Sequence, residues 1–372
     1  MPLTAYSVAE AKELDVDQVL AALSRRHGVQ APIDVADLPE SWREFLRTDL
    51  ECPCCFVTGA ELVREAISRT SRKAIRQRCF RFVTPGHRPQ CDYAMSDTNS
   101  TPENLVNFGT ANSNLTRAVR ELVCTGIQTG AFSQRSVRDM REWFFQKKAQ
   151  ASFRVVLDPR IPKWVDKLHR LPFLSTGSVP TGVPLTVEIA TMPGFDWVAE
   201  SARLLVERHR AVLDVVNEKR LWWMPDAGNR IESLARRYQG EVVFDPTVLH
   251  KEYDQSLRLA LFISHNYAPI RSVTKAKPYS AAACVLAFSA LLLFVNDWDL
   301  NRAVGTFAVI ARSAGHADQG LGNVMGLNPF HDYEAWRKLK QLQESGIPVP
   351  DETDPSVERR RIEDELRARF GA

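Results

Sequence analysis

The stretch Glu51-Cys52-Pro53-Cys54-Cys55 and its counterpart from Arg78 to Asp92 together hold five of the chain's seven cysteines. A Cys-x2-Cys pair, here Cys52 and Cys55, forms a tight turn that points two thiolates the same way. Cys79, His87 and Cys91 offer the other two soft donors of a tetrahedral site, so five candidates compete for four positions. Cys54 lies between the paired thiols and is expected to point away. This donor set suits structural zinc, because four protein ligands leave no open position for a substrate. The competing expectation is a group of reduced, buried and inert thiols. A disulfide framework would need a secreted chain. Met1-Pro2-Leu3-Thr4-Ala5 supplies neither the basic start nor the apolar run of a signal peptide, so a reducing cytoplasm is expected.

At 372 residues the chain is too long for one simple core and suits two or three modules. Its 44% hydrophobic and 25% charged residues exclude a disordered or polyionic class. The longest apolar run, Ala281 to Val295, falls short of the roughly 18–20 residues of a spanning helix. It is expected to be a buried core helix, with no membrane partner.

The net charge is only +3, so attraction for nucleic acid must come from a local patch. Such a patch exists in the sequence. Arg64, Arg69, Arg72, Lys73, Arg76, Arg78, Arg81 and Arg88 fall between residues 64 and 88, where the one acid is Glu65. Held rigid by a metal, this segment is suited to tracking a phosphate backbone. A solvated charged face is the plainer alternative.

Periodicity divides the rest. Amphipathic spacing predicts a helix over 9–27 and a short one from Pro39, a helical lead-in over 1–48 ahead of a metal module over 49–100. After a Ser/Thr/Asn-rich loop, helices are predicted from Ser113, stopped by Gly126, and from Ser133. From Phe153 the period changes. Residues 153–157, 184–190, 220–224 and 241–244 read as strands separated by helices, which implies right-handed crossovers and partly parallel pairing. This predicts an α/β core over 101–250. Helices at 253–265, 281–295 and 300–314 make a helical C-terminal region over 251–372, closed by a charge-laced, peripheral helix over 356–370.

The α/β core places Asp158 at the end of one strand and Glu188 inside the next. Two such carboxylates suit magnesium or manganese, which would activate water against a phosphodiester. A helix acid such as Glu121 or Glu142 would assist. A polar residue, usually lysine, two positions after the second acid would normally orient the nucleophile, but Ala190 stands there.

The order of parts resembles the competence protein CoiA-like family. The matching residues are Cys52, Pro53 and Cys55, then Cys79-Phe80-Arg81-Phe82, Val187-Glu188-Ile189, Glu207-Arg208 and Leu221-Trp222-Trp223-Met224. The resemblance covers about residues 49–225 and lies in order and texture more than identity. It implies a zinc knuckle followed by a PD-(D/E)XK nuclease-like core. The function expected from it is a zinc-containing DNA-binding protein with a nuclease-like domain, in DNA uptake, repair or defence. Departures matter too: Cys79 and Phe82 replace two histidines of the family, and Ala190 removes its Lys/Gln. The rival expectation is therefore a catalytically inactive scaffold that binds nucleic acid or a protein partner around a structural zinc.

Overall fold

The structure is a computed structural model that describes residues 1–29, 34–67, 74–89, 91–94, 103–108, 113–171, 183–221, 227–274, 281–322 and 324–370. It divides the chain into two compact units, each made of two separate stretches. One comprises Met1–Ala151 with Val248–His331, the other Ser152–Thr247 with Asp332–Ala372. The sequence instead suggested four consecutive parts. Among the described residues every strand ladder is antiparallel, and the largest sheet has three strands.

The first unit opens with that sheet, in which Thr4–Ser7 lies between Lys12–Asp15 and Leu50–Glu51. The centre strand is buried along its whole length. The helix predicted from residue 9 begins at Val16 because Asp15 builds a capping box. Its carboxylate accepts from the Gln18 amide at 2.8 Å, and the Gln18 side chain accepts from the Asp15 amide at 3.1 Å. Residues before the cap are free to form the hairpin.

Ala60–Val63 pairs with Cys79–Phe82, bringing the two cysteine stretches side by side. Gly59 permits this. Its φ is +91°, and a Cβ there would collide with the Thr84 carbonyl.

Helices Asn114–Gln128 and Gln134–Gln150 start where Ser113 and Ser133 cap them. Gly126 does not end the first helix. It makes room for the Phe132 ring, and the chain turns instead at Gly130, with φ +72°. Helices His250–Asn266, Ala283–Phe294 and Leu300–Ser313 follow the spacing read from the sequence. Cys284 to Leu293 is buried on every side, which is why that helix is apolar all round. No described helix is long and apolar enough to cross a membrane.

The second unit is mainly helical, and here the predicted parallel sheet is corrected. One antiparallel ladder joins Ser152–Arg154 to Val242–Phe244. Residues 184–190 form no strand: Thr186 caps a single turn, Val187–Ala190. Val187 is 55% exposed, so its β-branched side chain has no sheet face to pack on. Leu221 is buried outside any strand, and Trp222, Trp223 and Met224 lie outside the described residues. The core gathers Trp164, Leu205, Leu221, Ile231, Leu234 and Leu339.

The last helix, Pro355–Phe370, is not peripheral. It packs on Trp197–Arg208 and buries Glu358, Ile362 and Leu366. The Glu358 carboxylate meets His209 Nε2 at 2.8 Å and Arg208 at 3.0 Å. Burial works to raise the Glu358 pKa, but the hydrogen bond with His209, with Arg208 behind it, outweighs burial and holds it below the usual carboxylate range. A depressed carboxyl stabilises the fold above its unfolded pKa of about 4.3 and loses that contribution as pH falls through the lower folded value. Glu358→Gln is expected to cost about 2 kcal/mol at neutral pH and to flatten the acid limb of a denaturation curve followed by tryptophan fluorescence. An unchanged acid limb would refute this role.

Candidate metal centre

The first cysteine stretch folds into a closed knuckle. The Cys52 amide donates to Val57 O at 2.9 Å, and the Phe56 amide donates to Cys52 O at 3.0 Å. The turn drives Phe56 to φ +61°, a left-handed conformation disfavoured for a bulky residue. Two neighbours hold it there: the Phe145 ring edge-on at 6.4 Å and the Arg138 guanidinium 4.6 Å over its face. The second stretch turns at Gly86, with φ +86°, and again where the Cys91 amide donates to Arg88 O at 2.9 Å. His87 lies between Phe82 and Tyr93, at ring distances of 5.5 and 6.1 Å.

These turns bring four donors together. Cys52 Sγ, Cys55 Sγ, Cys91 Sγ and a His87 ring nitrogen all lie within 4.8 Å of one another. Cys52 Sγ is 3.9 Å from Cys91 Sγ, and His87 Nδ1 is 3.6 Å from Cys55 Sγ and 3.4 Å from Cys91 Sγ. Zinc–sulfur and zinc–nitrogen bonds of about 2.3 and 2.05 Å at tetrahedral angles would set these edges at about 3.8 and 3.6 Å. The cluster therefore has the dimensions of a tetrahedral metal site and can hold a metal such as zinc. Cys52 and Cys55 are 0% exposed and Cys91 2%, which leaves little room for a further ligand.

The thiols are electrostatically frustrated as they stand. Burial drives the Cys52 thiol well above its ordinary pKa. Cys55 is lowered, chiefly by its hydrogen bond with Cys52 and then those with Cys91 and His87. Cys91 is raised, first by its hydrogen bond with Cys52. One thiolate is thus favoured at the expense of its neighbours. A bound divalent cation would let all three ionise.

Of the five donors singled out from sequence, Cys79 falls outside the group. It lies buried on strand Cys79–Phe82 with Sγ 4.0 Å from Met1 Sδ. Cys54 is not one of the four converging donors; its thiol lies against that of Cys91, which raises its pKa, and donates to Asp92 Oδ2 at 3.3 Å. Asp92 also receives Lys148 Nζ at 2.9 Å and Asn104 Nδ2 at 3.2 Å. Asp92 and Lys148 were not legible as site residues. Adjacency to Cys91 was the one hint for Asp92, whereas Lys148 reads as an ordinary helix cation.

The cation-rich segment is less bare than it reads. Arg78 pairs with Asp17 at 2.5 Å, and Arg81 pairs with Glu61 at 2.7 Å on the neighbouring strand. Arg88 lies 5.8 Å over the Phe145 ring, and Arg64 is exposed. Arg69, Arg72 and Lys73 lie outside the described residues, as does the side chain of Arg76.

The carboxylates expected to hold magnesium are placed differently. Asp158 follows a segment that is not a strand, and it is bound by the Arg160 guanidinium at 3.0 and 3.1 Å. Those hydrogen bonds lower its pKa. Glu188 is exposed on the single turn capped by Thr186, whose hydroxyl lowers its pKa. Among the described residues neither joins a group of three or more potential metal ligands. Glu121 and Glu142, both in the other unit, are also engaged. Glu121 accepts from the Gly315 amide at 2.9 Å, and Glu142 pairs with Arg138 at 3.0 Å.

Comparison with protein-family models, curated proteins and solved structures returned no match to this chain.

Proposed function

We propose that the chain is a nucleic-acid-binding protein, with DNA the expected partner, in which a structural zinc centre fixes a cationic surface and no cleavage takes place. The observation that carries the reading is the Cys3His cluster, with three buried thiols and a half-buried imidazole, a four-donor set suited to structure rather than catalysis. In the same unit, Arg43, Arg64 and Arg81 line an open depression of about 520 Å³ together with Met1 and Leu62. The run from Arg64 to Arg88 adds further cations on the same stretch of chain. Exposed cations on a rigid hairpin favour contact with phosphates over readout of bases. The inactive member of the pair of expectations is preferred because Asp158 is occupied by Arg160 and Glu188 is solvated on one helical turn. The resemblance to CoiA-like proteins enters this reading through binding alone.

The test is fluorescence anisotropy with short duplex and single-stranded DNA over a range of salt. Binding is expected to weaken steeply as salt rises. Arg64→Glu with Lys73→Glu should lower the slope of log affinity against log salt by roughly two, one for each phosphate left without its cation. Zinc content should be unchanged in that variant. Absence of binding at low salt would overturn the reading. Magnesium- or manganese-dependent cleavage that disappears in Glu188→Ala would overturn the claim that the chain does not cut.

A further inference from the structure

Besides Cys79, the metal centre leaves a second soft donor over. Cys54 sits between Cys52 and Cys55 and is only 4% exposed, yet its sulfur is not one of the four converging atoms. Asp92 holds that sulfur from two directions. The thiol donates to Oδ2 at 3.3 Å, and the Asp92 backbone N–H donates back to Sγ at 3.3 Å. The opposite carboxylate oxygen is fixed by Lys148 Nζ at 2.9 Å and Asn104 Nδ2 at 3.2 Å. The Lys148 side chain is 7% exposed, so this ion pair is itself buried.

Ligand choice matters because it sets the charge of a buried centre. Three thiolates, a neutral imidazole and a divalent ion sum to a net charge of minus one, and four thiolates to minus two. Where Cys52 and Cys55 are fully buried, the second negative charge would be costly without a further buried cation. Thiolate is nevertheless the softer ligand, and Cys54 lies in the same turn as two of the ligands. Something must keep it out.

We propose that Asp92, braced by Lys148 and Asn104, selects the fourth ligand by holding Cys54 outside the coordination sphere, so that His87 completes a Cys3His set. Asp92 and Lys148 are positioning residues in this role, and the proposal rests on the metal-centre reading above. It predicts that the choice between histidine and cysteine changes when the brace is removed.

Cobalt(II) reports the number of thiolate ligands through its near-ultraviolet charge-transfer band and its visible bands, with no activity required. The full chain should bind cobalt with three thiolates, and C54S should leave that spectrum unchanged. D92A, which leaves Lys148 as the buried cation a fourth thiolate needs, should gain one, with the charge-transfer band rising by about one third. Adding C54S to that variant should return the spectrum to three. H87A with the brace intact should bind cobalt more weakly, through three thiolates. A three-thiolate spectrum in D92A that ignores C54S would overturn the proposal. So would a fourth thiolate in H87A, and that variant decides the matter where D92A fails to fold. Failure of the unaltered chain to take up cobalt would instead remove the metal centre, a result distinct from a wrong ligand choice.

Discussion

Cys55→Ser is expected to abolish metal binding at the Cys3His cluster, where zinc is the metal proposed, and to unfold the cysteine-bearing loops of the first unit. Structural zinc in small folds is worth on the order of 10–16 kcal/mol in apparent binding free energy. The knuckle also holds Phe56 in a left-handed conformation that the turn alone would not favour. Even a net loss of about 5 kcal/mol would lower the thermal midpoint of a unit this size by roughly 10–20 °C. The measurement is zinc per chain by plasma emission, paired with a thermal scan before and after a chelator. Cys79→Ser is the informative companion. Its sulfur lies 4.0 Å from Met1 Sδ and outside the tetrahedron, so zinc content should stay at that of the unaltered chain. Loss of zinc in Cys79→Ser, or its retention in Cys55→Ser, would show that the donor set is wrong.

Arg141→Met should destabilise the first unit by about 3–5 kcal/mol, since it leaves the Glu13 carboxylate buried without its cation. Both side chains are almost fully enclosed, at 2% and 1% exposure, with 2.7 Å between them. Glu13 also accepts from Thr4 Oγ1 at 2.6 Å and from the Met325 amide at 3.1 Å. Arg141 in turn donates to the Met325 carbonyl. One ion pair thus ties the first hairpin, the helix Gln134–Gln150 and the strand Met325–Leu327 together. A charge left alone there has no solvent to receive it, whereas two apolar residues would pack. Glu13→Leu combined with Arg141→Met should therefore recover most of the loss. Urea unfolding of the two single variants and the double variant closes the cycle. Single variants costing less than about 1 kcal/mol would contradict this account of the pair.

What could be read from residue order followed local chemistry. Ser113 and Ser133 announce their helices because a cap is satisfied within four residues. The apolar run ending at Val295 announces a buried helix because Ser289 is its one polar side chain. Cys52 and Cys55 announce a ligand pair because a two-residue gap closes on itself. Residues 184–190 misled for the same reason in reverse. Their alternation is strand-like, but a strand exists only where another lies beside it, and with Val187 in solvent the Thr186 cap prevails.

By itself, then, the sequence determined the knuckle, the capped helices and the presence of more soft donors than one metal site needs. Tertiary structure alone decided that His87 and Cys91 join Cys52 and Cys55 while Cys79 does not. It also decided that Glu13 meets Arg141 across 128 positions, that Lys148 reaches Asp92, and that Asp158 is taken by Arg160. The physical reason is range. Caps and turns are satisfied by neighbours a few residues away, whereas ligand sets and buried charges are settled by whichever distant side chain the packed backbone brings within about 4 Å.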